Sequence, residues 1–344
     1  MSLTAAPSRE STPAGVTPRR VGSTAAAVVV AVAAVVGVSI ASVLIGSRPI
    51  SPGVVFDSAH PLHGIVDARV GRTALALAVG AALGLSGAIM QGLTRNPLAD
   101  PGILGINAGA SFAMVLAMSV FGISSLSGYL WFAFAGAALT MVTVHALASF
   151  GRDGATPMKL AIAGAAMTAG LSSWTSGVLL TDRQTMETFR FWQVGTVGGR
   201  DFDVLLTGLP FLVAGMVVAL GCARLLNTLA LGDHLARGLG RHVVRDRLVL
   251  GEAVVLLAGS ATALAGPIAF VGLIVPHAVR AVVGSDYARV LPYSVGYGAV
   301  LVVVADVLGR VVLPPTEVQV GIMTAVVGVP GFLWLVRRGR MGVL

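Results

Sequence analysis

The chain has 344 residues, 56% of them hydrophobic and 11% charged, with a mean hydropathy of +0.88. This excludes a soluble globular domain, which needs more polar surface, and implies several of the ~20-residue apolar runs that cross a hydrocarbon core. A net charge of +8 would point to nucleic acid in a soluble chain. Here it matches the Lys and Arg excess of cytoplasmic loops facing membrane lipid, and no nucleic-acid partner is expected.

Residues 1–23 are rich in Ser, Thr, Pro and Arg without hydrophobic pattern and are expected as a disordered cytoplasmic tail. Residues 24–344 are expected to form a single transmembrane domain. The apolar run 24–46 is too long for a signal-peptide core of about 7–15 residues, so it is expected as a retained first span. Nine further spans are expected at roughly 72–93, 101–121, 128–150, 157–180, 204–226, 246–265, 268–283, 290–310 and 318–336. The eighth is short, and only Gly266-Pro267 sets it off from the seventh, so a count of nine spans stays open.

With ten spans and the N-terminus inside, 16 of the 23 Lys and Arg residues fall on the cytoplasmic side. That bias supports two cytoplasmic termini. Outside stand Arg48, Arg69, Arg72, Arg183, Arg190, Arg200 and Arg310.

A weak repeat links "GAALGLSGAI" (80–89) to "GSATALAGPI" (259–268), and Pro97 to Pro276 at the same offset. The second and seventh spans run in opposite directions, so the repeat would be inverted, as in many transporters. Among the 44 glycines, pairs four apart such as Gly80/Gly84 and Gly105/Gly109 suit close helix packing.

The segment "QGLTRNPLADPGILGINAGA" (91–110) is unusually irregular for a connection between spans. Asp100-Pro101 reads as an N-cap followed by proline at the first helical position. Irregular backbone at membrane depth survives only where protein or water satisfies it. The segment is therefore expected inside the bundle near the cytoplasmic side, in an architectural role.

The only lysine, Lys159, follows Thr156, Pro157 and Met158, so no Gly-Lys-Ser/Thr phosphate loop can form. The lone Cys222 excludes an intrachain disulfide and a cysteine metal site. No metal site and no catalytic residue is expected.

Three function classes were weighed. "GLSG" (84–87), with His145 or His277 as base, matches an intramembrane serine protease pattern, but three small residues arise freely in this composition. A secondary transporter would need ionisable residues in the membrane. Glu252 and Asp306 are the candidates, and Arg310 stands one turn from Asp306, close enough to pair. An ATP-driven importer would need a cytoplasmic element that receives a push, and "ARLLNTLALGDHLARGLGRHVVRDR" (223–247) reads as one or two short helices outside the bilayer. A solvated basic loop beside anionic lipid is the competing reading.

Four ordered blocks decide among these: "RVGRTALALAVGAALGLSGAIMQGLTRNPLADPGILGINAGA" (69–110), "ALGDHLARGLG" (230–240), "GPIAFVGLIVPHAVR" (266–280) and "LPPTEVQVGIMTAVVGVPGFLWLV" (313–336). Together they resemble the iron-siderophore and vitamin B12 permease family of ABC importers, over roughly residues 25–340. The resemblance implies an all-α polytopic fold of ten helices like the type II ABC importer permeases, in a bacterial plasma membrane. It implies two ATP-binding subunits that hold ATP and Mg, a second permease (identical or paralogous) and an extracytoplasmic solute-binding protein. The permease itself is not an enzyme and binds no cofactor. The cargo implied is a ferric-siderophore chelate, with cobalamin or haem as alternatives.

By the same resemblance, Leu231, Gly232, Asp233, Ala236 and Gly240, in a segment of about 227–242, contact the ATPase. Arg69, Arg72 and Arg310 dock the binding protein; interfacial snorkelling and an Arg310–Asp306 pair are the alternatives. Gly164, Thr168, Leu171 and Thr175 form one face of the fifth span along the passage. Pro157 and Met158 mark the inner gate, where Thr-Pro-Met departs from the family's small hydroxyl residues.

Overall fold

The structure is a computed structural model that describes residues 24–337 except 49, 124, 152–154 and 201; the predicted tail, 1–23, lies outside the described residues. Among those residues there are thirteen helices and no strand. Ten correspond to the predicted spans: α1 (Thr24–Leu44), α2 (His63–Thr94), α3 (Ile106–Ser119), α4 (Leu126–Ser149), α5 (Pro157–Thr181), α7 (Phe202–Gly221), α10 (Val243–Ala265), α11 (Val271–Val283), α12 (Tyr287–Val312) and α13 (Val320–Arg337). The other three lie outside the spans: with the N-terminus inside, as the Lys and Arg bias indicates, α6 (Arg183–Gln193) falls on the outer side and α8 (Ala223–Ala230) and α9 (Asp233–Gly238) on the cytoplasmic side.

Six of the ten are long and apolar enough to cross a membrane by length and composition. Two of the others are short because part of their crossing is not α-helical. α3 is preceded by a 3-10 turn, Pro101–Leu104, that ends at Gly105 in the left-handed region (φ 76°). Asp100 caps that turn, accepting from the Gly102 N–H at 2.8 Å, as its Asp-Pro sequence predicts. The predicted single helix 101–121 is therefore broken at Gly105. A β-carbon on Gly164 would strike the Ile103 carbonyl. Gly164 lies seven residues into α5, so the irregular segment reaches ~10 Å below the start of α5 at 1.5 Å per residue.

α11 is the second short crossing. α10 ends at Ala265, Gly266 turns with φ 77°, and residues 266–270 run without helix before α11 begins; this supports ten spans against nine. Pro276 inside α11 lacks the N–H that would bond the Gly272 carbonyl. Gln91, fully buried on α2, supplies the replacement: its Nε2 donates to Gly272 O at 3.2 Å and Leu273 O at 3.1 Å. Its Oε1 accepts from Arg280 Nη1 at 2.6 Å.

Glycine contacts set the helix spacing. Gly80 and Gly84 lie against the backbone of Gly298 and Ser294 on α12, Gly87 against Gly272 on α11, and Gly109 against Gly136 on α4. Helices approach this closely only where no β-carbon intervenes. We predict that Gly87→Ala lowers the melting temperature of the purified chain in mild detergent, an overpacking cost of ~1–3 kcal/mol. Gly170→Ala, whose β-carbon meets nothing within 4 Å in the middle of α5, should leave it unchanged or raise it, since alanine is the better helix former; equal melting of the two variants would contradict this packing account.

Candidate functional site: two ends of a membrane passage

At the outer end, α1 stops at Leu44 with its last carbonyls unpaired by the helix, as every helix end does. Two guanidiniums fill them. Arg69 Nη1 donates to Val43 O at 3.0 Å and Leu44 O at 3.2 Å, and Nη2 to Arg48 O at 2.6 Å. Arg310 Nη1 donates to Ser42 O at 2.8 Å and Ile45 O at 3.1 Å, while Nη2 reaches Ser42 Oγ at 2.6 Å and Asp306 Oδ2 at 3.0 Å. Asp306 is 1% exposed and also takes Arg72, through Nε at 3.0 Å and Nη2 at 2.7 Å. Arg72 then holds Glu317 through Nη1 at 2.6 Å. Burial pushes the Glu317 carboxyl up, but its hydrogen bond and charge contact with Arg72 leave it below the usual carboxylate value.

The three predicted docking arginines thus line one outer cavity of ≈ 330 Å³ together with Arg48 and Glu317, but they do not stand free. Arg69 and Arg310 are buried and turned onto α1 and Asp306, so in this conformation neither offers a guanidinium to a partner's carboxylate. The helix-end carbonyls compete for the same donors. Arg48, not singled out from the sequence as a docking residue, is exposed at the rim. Asp306 is engaged with two arginines, and Glu252 sits on an exposed face of α10; neither stands as a buried, unpaired carrier of protons. Ser86 of the protease-like motif is fully buried and donates to Leu83 O at 3.1 Å, so it is no exposed nucleophile. Among the described residues no group of three His, Cys, Asp or Glu could hold a metal ion.

At the cytoplasmic end, the predicted coupling segment forms α8 and α9, joined at Gly232 (φ 109°) and ended at Gly240 (φ 77°). Both are backbone conformations that glycine alone adopts without strain. Asp233 opens α9 and binds two arginines: Arg95, just after α2, and Arg247 of α10 at 3.0 Å. Asn227 of α8 donates to Asp286 Oδ1 at 2.7 Å and accepts from the Tyr287 N–H at 2.9 Å, which fixes α8 to the start of α12. This hydrogen bond and that of Ala288 N–H hold Asp286 below the usual carboxylate range.

Leu231, at the end of α8, is exposed, and so are Leu235 on α9 and Leu239 just after it. Ala236 is fully buried in its own bundle. On so short a helix one face must anchor, and this small residue lies on that face. The sequence reading left out Arg95 and Arg247.

On α5, the face predicted to line a passage packs inward. Gly164 and Thr175 are buried, Gly164 against Ile103, and Thr168 and Leu171 are half-buried. The rest of the α5 circumference is exposed, and carries small residues (Ala165, Ala169, Ser172, Ser173 and Ser176) together with the large Ile162, Trp174 and Leu180. The hydroxyls of Ser173 and Ser176 are satisfied by the carbonyls four residues back, at 2.9 Å each. A small-residue stripe fits equally a packing seam and a pore wall, and Gly164 here meets the seam with Ile103. Pro157 opens α5 after its N-cap Thr156, and Met158 is 74% exposed.

A bundle of short, broken and glycine-packed membrane helices with a surface helix pair on one face defines a polytopic permease. The chain belongs to the FecCD transport family, whose profile matches residues 32–338. It is 46% identical over 275 residues to the probable siderophore transport system permease protein YfiZ of Bacillus subtilis, covering 80% of this chain and 83% of that one. It is 42% identical over 308 residues to the ferric enterobactin transport system permease protein FepD of Escherichia coli, covering 88% and 92%. A solved inward-facing structure of a metal-chelate type ABC transporter superposes with a TM-score of 0.81 at 27% identity, over 90% of this chain and 98% of that one. The chain is thus the membrane-spanning transport subunit of an ABC complex, with the type II importer permease fold.

Two predictions follow from the outer cluster. Asp306→Asn should destabilise the purified chain by ~3–5 kcal/mol, because it strands the buried Arg310 charge; an unchanged melting temperature would refute that pairing. Glu317 has a depressed folded pKa, so its contribution to stability is present above the unfolded value of 4.5 and is lost as pH falls through the lower folded value. The melting temperatures of wild type and Glu317→Gln should therefore differ at pH 7 and converge in acid.

Proposed function

We propose that this chain is the passage of a bacterial plasma-membrane importer that takes up a ferric-siderophore chelate. Two permease subunits, identical or paralogous, pair so that an exposed face of α5 lines the route between them. Each rests on an ATP-binding subunit that holds ATP and Mg, and an extracytoplasmic binding protein delivers the chelate. The observation that carries the reading is the set Leu231, Leu235 and Leu239, exposed on a short helix pair pinned to the bundle by Asp233 and Asn227. Exposed apolar residues clustered outside the spans mark an interaction surface, and an ATPase cleft is the partner this reading assigns to it. The siderophore cargo is supported by relatives named for siderophore and enterobactin transport.

On this reading the start of α5 at Pro157 and Met158 is the inner gate. The outer rim meets carboxylates of the binding protein through Arg48 and the exposed edge of the Arg72–Glu317 pair.

The test is reconstitution of the complex in liposomes with its ATPase and binding protein, measuring ATP-dependent uptake of ferric catecholate, ferric hydroxamate, ferric citrate, hemin and cobalamin. Uptake of a ferric siderophore is expected. Uptake of hemin or cobalamin alone would replace the cargo, and ATP-independent uptake would overturn the importer reading. In the same system, Arg48→Glu should weaken binding-protein affinity by about tenfold, ~1.4 kcal/mol, with a smaller salt dependence, while leaving the melting temperature unchanged. Unchanged affinity would remove Arg48 from the docking surface.

A further inference from the structure

We infer that Arg247 is a positioning residue that transmits displacement of α9 to the cytoplasmic end of α5; the inference rests on the importer reading above. Arg247 is the fifth residue of α10, and its side chain is only 14% exposed. One arm of its fork, Nη2, donates to Asp233 Oδ1 at 3.0 Å. The other, Nη1, donates to the Ala155 carbonyl at 3.3 Å. Asp233 is the first residue of α9, and Ala155 immediately precedes Thr156, the N-cap of α5. One planar group therefore joins the helix facing the proposed ATPase cleft to the entry of the gate helix.

The geometry suits transmission. A guanidinium holds its N–H vectors in a fixed fork, so a shift of Asp233 turns the whole group and moves the donor aimed at Ala155. The bond to Ala155, at 3.3 Å, is slightly longer than the usual ~2.7–3.2 Å, so a small displacement of the group is enough to break it. The same Asp233 oxygen is shared with Arg95 at the end of α2. Arg95 and Arg247 thus differ in consequence: Arg95 ties α9 to α2, whereas Arg247 continues the link to α5. Below Ala155, α5 is seated on the irregular segment through Gly164 and Ile103, so motion at its first turn works against a fixed point ~10 Å further in.

The experiment uses the whole reconstituted complex and reads chelate transported per ATP hydrolysed, with assembly checked by size-exclusion chromatography. Arg247→Ala should lower that ratio by about tenfold while ATP hydrolysis stays at the wild-type rate, within the range of coupling carried by contact chains. Arg247→Lys keeps the charge and the Asp233 pair but cannot fork to both partners, and should show a smaller loss of the same kind. Arg95→Ala removes the tie to α2 but keeps the link to α5, and should lower the ratio less than Arg247→Ala does. A wild-type ratio in both Arg247 variants overturns the inference, as does an equal loss in Arg95→Ala. Where Arg247→Ala fails to assemble, Arg247→Lys decides alone. A wild-type complex without ATP-dependent uptake overturns the importer reading and this inference with it.

Discussion

Backbone inside hydrocarbon has no water to bond, so each carbonyl freed from a helix must find a donor within the protein. This structure frees backbone groups at such breaks, and three of them receive a side chain suited to the group left over. Gln91 fills the gap left by Pro276 in α11. Arg69 and Arg310 close the end of α1. Asp100 settles the start of the 3-10 turn ahead of α3 from the opposite polarity, by accepting an N–H. Breaks in the helices and the polar residues beside them are one design, in which the breaks supply shape and the side chains make them tolerable.

Glycine contacts supply the second half of that design. Lipid gives helices no hydrophobic reason to associate, so packing distance governs the attraction. Gly80, Gly84 and Gly87 place three consecutive turns of α2 against α12 and α11. That seats Gln91, one turn further along, within reach of the α11 carbonyls. Removing the close approach would therefore also unseat the hydrogen bonds that make the proline break bearable.

Much of this was legible in the sequence, and the misses have physical reasons. Apolar runs and the arginine bias give ten crossings because length and charge respond to the bilayer directly. The Asp100-Pro101 cap was readable because capping is local. α6 was missed because Phe189 and Trp192, its buried face, form too short an apolar pattern between two spans to stand out. The packing face of α5 was not legible because Gly164, Thr168 and Thr175 on one side and Ala165, Ala169 and Ser173 on another are chemically alike, and only a neighbour, Ile103, tells them apart. Arg69 and Arg310 were read as outward groups because charge alone does not reveal the carbonyls 21 to 268 residues away that claim them. The Asp233–Arg247–Ala155 chain joins segments 14 and 92 residues apart, which no spacing rule anticipates.

The two ends of the molecule are held by the same chemistry at different depths, and that difference bears on how it moves. At the outer end Asp306 and Arg310 are 1% and 2% exposed, and breaking such a pair costs ~3–5 kcal/mol. At the cytoplasmic end Asp233 and Arg95 are 26% and 37% exposed, in the range where an ion pair is worth only ~0–1 kcal/mol. A force applied at α9 therefore meets contacts that rearrange cheaply, while the outer rim around α1 resists. Motion driven from the cytoplasmic face would open or close the inner end of α5 first and pivot on the rigid seams of α2, α11 and α12. The pairs at α9 need not be strong to matter; being weak and shared, they let the helix shift partners without stranding a buried charge.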